Sequence, residues 1–107
     1  MSKSELTTEK VRELKFRLFS QQSGICFSCG LPMAITQMEA AHRIPDRKWT
    51  VKLFGAEVIN HPMNFRGTHS GRCNSKAQLN PDSIYAEDLA REIQRALKKA
   101  SAARFRR

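Results

Sequence analysis

Apolar residues recur at helical spacing at both ends of this chain and lose that rhythm in the middle. Leu6, Val11, Leu14 and Leu18, broadened by Phe16 and Phe19, predict an amphipathic helix over residues 4–22, closed by Gly24. Tyr85, Leu89, Ile93 and Leu97 recur every fourth residue and predict a second helix over residues 82–100, with Asp82 or Ser83 as its N-cap. Between them, residues 25–30 read as a tight turn. Short strands are expected near Met38–Arg43, where Pro45 ends the run, and over Phe65–Thr68. A short helix is expected from Asn74 to Leu79, stopped by Asn80-Pro81. The stretch from Asp46 to Phe65 reads mostly as connection with some turn of helix. Its Trp49 is assigned to the core, with stacking on a base as the alternative.

This pattern implies an α+β fold in one domain over residues 1–107, with a central unit over 23–80 between two flanking helices and a basic tail over 101–107. A chain of 107 residues has a thin core that a covalent or metal staple would help. No apolar run approaches 18 residues, and the charged first ten residues lack an apolar signal core. The expectation is therefore a cytoplasmic, intracellular protein with no membrane partner. Nineteen Lys and Arg against ten Asp and Glu give a net charge of +9, which favours a polyanionic partner, DNA first and RNA second.

Three cysteines suit thiolate ligation better than a disulfide framework. Cys26-x2-Cys29, followed by Gly30, has zinc-knuckle spacing, and His69-x3-Cys73 supplies a second pair. Together they predict a closed Cys3His site for structural Zn²⁺. The competing reading makes the cysteines small core residues and His69 a surface histidine.

Between the two pairs lie Glu39-Ala40-Ala41-His42-Arg43-Ile44-Pro45 and Asn64, and Asn74-Ser75-Lys76 follows the last cysteine. This order, over residues 20–80, resembles the HNH endonucleases. Asn74 in the final position is similar to the phage endonuclease VII type. The resemblance implies a zinc-stapled ββα-metal, treble-clef-like core. It implies His42 as the general base, Asn64 as the residue that braces the loop and orients the histidine, and Asn74 as a ligand of a catalytic Mg²⁺ or Mn²⁺. Hydrolysis would leave 5′-phosphate and 3′-hydroxyl ends. A near-neutral imidazole and a hard cation are what phosphodiester hydrolysis requires. The chain departs from the family at Ala41, where many relatives carry an Asp or His ligand. Glu39, two residues away on the same strand face, is a substitute ligand. Two alternatives stay open: His42 binds the cation while His61 serves as base, or the site does not cut.

Arg43, Arg47, Lys48, Lys52, Arg66, Arg72 and Lys76 surround these motifs and are candidate phosphate contacts. The leading expectation is an HNH endodeoxyribonuclease, monomeric or homodimeric, of a size that suits a phage or mobile element. The alternative is a non-catalytic zinc-knuckle module that binds nucleic acid. A purely structural zinc protein is the third.

Overall fold

The first helix starts where Thr7 can cap it. The Thr7 hydroxyl accepts the Lys10 N–H at 3.2 Å, and α1 runs from Thr8 to Gln21. Residues 7–105 are described in this computed structural model, the side chains of 104 and 105 excepted. The predicted first helical residues, 4–6, and the basic side chains of Arg104, Arg106 and Arg107 lie outside the described residues. Ser23 and Gly24 end α1 in the left-handed region, at φ of 54° and 71°, and the Gly24 N–H closes onto the Phe19 carbonyl at 2.9 Å. A Cβ at Gly24 would stand 3.0 Å from the Phe19 ring, a second reason for glycine there.

Strands β1 (Glu39–His42) and β2 (Phe65–Thr68) form a two-stranded antiparallel sheet, pairing Glu39 with Thr68, Ala40 with Gly67, Ala41 with Arg66 and His42 with Phe65. Such a ribbon is marginal alone and needs packing. Leu14 and Leu18 of α1 supply it, meeting Cys26, Met33, Met38 and Phe65 in one buried cluster. Gln22 binds β2 directly: its Oε1 accepts the Gly67 N–H at 2.7 Å, and its Nε2 donates to the Gly67 carbonyl at 2.9 Å and the Ile25 carbonyl at 2.8 Å.

The stretch expected to be connection is largely helical. It holds α2 (Lys48–Phe54), α3 (Ala56–Ile59) and a 3₁₀ turn (Pro62–Asn64). These elements are too short to show a periodic stripe, which is why their pattern did not declare them. α4 (Arg72–Lys76) follows β2 and starts two residues before the predicted helix. α5 (Ile84–Phe105) continues into the segment read as a tail, because no breaker interrupts residues 101–105. Its inward stripe includes the predicted Ile93, with Leu89 and Leu97 packed beside it, but is wider than predicted. Ala86, Ala90 and Ile93 are buried against Ile44, Val58 and Ile59, whereas Tyr85 is exposed. Two alanines let α5 approach its neighbours closely. Trp49 likewise lies outside the core, 46% exposed.

Asn64 joins the sheet to this second cluster. It is fully buried; its Oδ1 accepts the Ile44 N–H at 2.8 Å, and its Nδ2 donates to the carbonyls of Ile44 at 3.1 Å and Ile59 at 2.8 Å. Its own carbonyl accepts the Arg43 N–H at 2.7 Å. Asn64 thus ties the chain just after His42 to the end of α3. No helix among the described residues is long and apolar enough to cross a membrane.

Replacing Asn64 by Ala strands three buried backbone groups, so a loss of about 3 kcal/mol or more in unfolding free energy is expected. Urea denaturation at fixed zinc concentration measures it; a change below about 0.5 kcal/mol would contradict the bracing role.

Candidate functional site

The four predicted soft donors converge. Ligand atoms of Cys26, Cys29, His69 and Cys73 all lie within 4.8 Å of one another, with Cys29 Sγ 3.5 Å from His69 Nδ1. Four such donors around a tetrahedral ion, with bonds of about 2.0–2.3 Å, stand roughly 3.5–3.8 Å apart, so this cluster can hold a structural metal such as zinc. Among the described residues it is the one cluster of three or more His, Cys, Asp and Glu donors arranged this way.

Local folding explains the convergence. The Cys26 carbonyl accepts the Gly30 N–H at 3.0 Å, and Gly30 takes φ of 76°, which closes the knuckle and brings Cys29 back beside Cys26. Gly71, at φ of 70°, turns the chain from His69 into α4, whose second residue is Cys73. Ser28, between the first two cysteines, donates from its hydroxyl to the Cys73 carbonyl at 2.6 Å and so fastens the halves together. The Phe27 N–H donates to the Gly67 carbonyl at 3.0 Å and docks the knuckle on β2.

The electrostatics favour a bound cation. Burial would raise the Cys26 thiol, but the backbone N–H groups of Cys29, His69 and Ser28, helped by the His69 ring, outweigh it and bring the thiol down to about 6. Burial and the Cys26 and Cys29 sulfurs beside it push Cys73 up to about 11. One thiolate forms readily and inhibits the next, a conflict that a divalent ion relieves.

A cleft of about 310 Å³ opens beside this centre, lined among others by Val11, Lys15, Glu39, His42, Phe65 and Asn74. Asn74 Nδ2 donates to Glu39 Oε1 at 3.0 Å, which leaves the Asn74 amide oxygen and the second Glu39 oxygen without a partner in that contact. His42 packs its ring 4.3 Å from that of Phe65. Burial lowers its pKa below 6.5, against opposing influences from Asp46 and Asn60, so the ring is neutral at pH 7. Its Nε2 is buried and has no hydrogen-bond partner.

The remaining predicted residues divide. Asn64 is enclosed and engaged with backbone, so it positions its neighbours and cannot reach a substrate. His61 lies outside the cleft of His42; its Nδ1 accepts the Met63 N–H at 3.1 Å and caps the 3₁₀ turn. Ala41 is completely buried and has no ligand atom. Arg47, Lys48, Arg72 and Lys76 are exposed. Arg43 and Arg66 are half-buried over the Phe27 ring, at 4.7 and 5.6 Å. Arg43 donates to the Ala77 carbonyl at 2.8 Å, and Arg66 to the carbonyls of Phe65 at 2.7 Å and Met63 at 3.0 Å. Their guanidiniums hold the frame as well as carrying charge. Sequence reasoning missed Ser28 and Gln22. Ser28 stood inside the knuckle motif, whereas nothing about Gln22 distinguished it from any polar helix end.

Purified protein is expected to carry one zinc per chain by elemental analysis, and stripping it with a chelator should abolish cooperative unfolding. A metal-free chain that melts as sharply as the loaded one would contradict this. In a proton NMR titration of the zinc-loaded protein, His42 should reach half-protonation below pH 6.5. Because the folded chain then binds fewer protons than the unfolded one, His42 subtracts stability as pH falls through 6.5 towards its lowered value. A midpoint above 6.5 would oppose the assigned burial.

No protein-family model, curated protein or solved structure matches this chain.

Proposed function

We propose that the chain is a metal-dependent endonuclease of the HNH type, hydrolysing DNA phosphodiester bonds. The observation that carries this reading is the meeting of His42, Glu39 and Asn74 on one cleft, Asn74 following directly on Cys73. The succession β1, β2, α4, with the Cys3His cluster reaching from the knuckle to α4, supports a zinc-stapled ββα-metal, treble-clef-like core.

In this reading neutral His42 takes a proton from a water molecule, whose oxygen forms the new bond to phosphorus as the bond to the 3′-oxygen breaks. The departing 3′-oxygen takes a proton from solvent water, so the products are a 5′-phosphate and a 3′-hydroxyl. Glu39 and Asn74 present a carboxylate and an amide oxygen, hard donors that suit Mg²⁺ or Mn²⁺. When bound, such a cation supplies neutralisation of the charge that grows on the phosphate. Asn64 keeps the chain after His42 in place, so the imidazole does not drift from the scissile group. Exposed Arg47, Lys48, Arg72 and Lys76 offer phosphate contacts, with Arg43 and Arg66 adding positive charge.

Two observations favour the rival, a zinc-knuckle module that binds nucleic acid without cutting it. Ala41 supplies no ligand, and the His42 Nε2 is sealed from solvent. One experiment separates the readings: supercoiled plasmid incubated with the zinc-loaded protein and Mg²⁺ or Mn²⁺. Nicking is expected, reduced at least about 100-fold by His42→Ala and about tenfold by Glu39→Gln, with zinc content unchanged. Full nicking by His42→Ala would remove His42 from the mechanism. Salt-sensitive DNA binding without any cleavage would select the binding module.

A further inference from the structure

Helix α2 is held entirely by one side. Thr50 is fully buried; its hydroxyl accepts the Arg47 N–H at 2.9 Å and donates to the Pro45 carbonyl at 2.6 Å. Val51 and Phe54 pack on the Ile44 cluster. The opposite side is left to Lys48, Trp49, Lys52 and Leu53, all exposed. Trp49 is 46% and Leu53 62% accessible, and their i, i+4 spacing sets the indole beside the leucine side chain. Lys48 and Lys52 are spaced in the same way along the flank, and Arg47 stands exposed at the N-cap. No acidic residue occurs from 47 to 56. The fold therefore places its sole tryptophan outside the core, on a seven-residue helix, among three cations.

We propose that this face of α2 is a stacking platform for an unpaired nucleobase. The Trp49 indole takes the base on its face, Leu53 backs it, and Arg47, Lys48 and Lys52 hold the neighbouring phosphates. An aromatic surface joined to a cationic fence is the chemistry that recognises single-stranded nucleic acid. A paired base inside a duplex hides both faces in the stack and cannot use the indole. A second copy of the chain is disfavoured because a two-fold contact on this patch would set the three cations against their own images. The inference rests on the nucleic-acid reading above and deepens it. It names unpaired segments, such as those at junctions, gaps or displaced strands, as the preferred substrate class.

Because the chain has one tryptophan, its emission reports this face alone. The zinc-loaded protein is titrated with oligo-dT and with a blunt duplex of equal length, following both Trp49 emission and the anisotropy of labelled nucleic acid. Oligo-dT should quench the emission saturably and several-fold more than the duplex. Trp49→Ala should weaken oligo-dT binding about tenfold while duplex binding stays within twofold, and Trp49→Phe should restore most of the loss. Circular dichroism and zinc content confirm that the variants fold. Oligo-dT binding by anisotropy with unchanged emission overturns the platform and leaves the nuclease reading intact. Binding to neither nucleic acid overturns both. A shift of Trp49 emission with protein concentration alone would assign the face to self-association and overturn the platform.

Discussion

Four soft donors, drawn from two segments about forty residues apart, meet in a single small volume, and the remainder of the chain is arranged around that meeting. Two short strands and a pair of small buried clusters give little on which to build a cooperative fold. An ion held by these four donors would change the balance, because the free energy of ligation enters folding directly. The protein reinforces the same junction with bonds that need no ion, from Ser28 to Cys73 and from Phe27 to Gly67. The position of Asn74 follows from that of Cys73, so the frame and the Asn74–Glu39 contact of the cleft share one anchor.

A second constraint acts on the histidine. His42 is followed at once by two residues whose backbone Asn64 holds, and the same amide reaches Ile59 in the other cluster. The imidazole is thus fixed from behind by an enclosed polar group while its ring rests on Phe65. Half-burial in this setting makes it a weaker base than free histidine but keeps it unprotonated at neutral pH. Ala41 packs into the interior and offers no ligand atom, while Glu39 and Asn74 line the same cleft as His42 and hold each other through one hydrogen bond.

What the sequence disclosed, it disclosed through spacing. Cys26-x2-Cys29 and His69-x3-Cys73 specified their own convergence, because ligand chemistry permits few arrangements. Phe65–Thr68 was legible as a strand because its neighbours punctuate it. Residues 46–64 were not, since α2 and α3 take only seven and four residues and complete too few turns for periodicity to show. Tyr85 misled because its four-residue spacing continues a stripe, Leu89, Ile93 and Leu97, that does pack inward, while at the start of the helix the contact passes to the small side chain of Ala86. Trp49 misled for the opposite reason: hydrophobic character implies burial only when a facing surface exists, and Thr50, Val51 and Phe54 had already filled it. Among the candidate site residues, Asn64 was found by its place in the motif order, and its enclosure could come only from the three-dimensional arrangement.

Gln22 carries a further consequence. A two-stranded ribbon leaves the outer margin of each strand with unpaired peptide groups, an invitation for another chain to add itself. At Gly67 both groups facing away from β1 are already spoken for: the N–H by the Gln22 amide oxygen, and the carbonyl by the Gln22 amide nitrogen and the Phe27 N–H. One side chain imitates an absent third strand at its central rung. The outer margin of β2 is thereby closed to strand addition at Gly67, and the ribbon is guarded against polymerising through its own sheet.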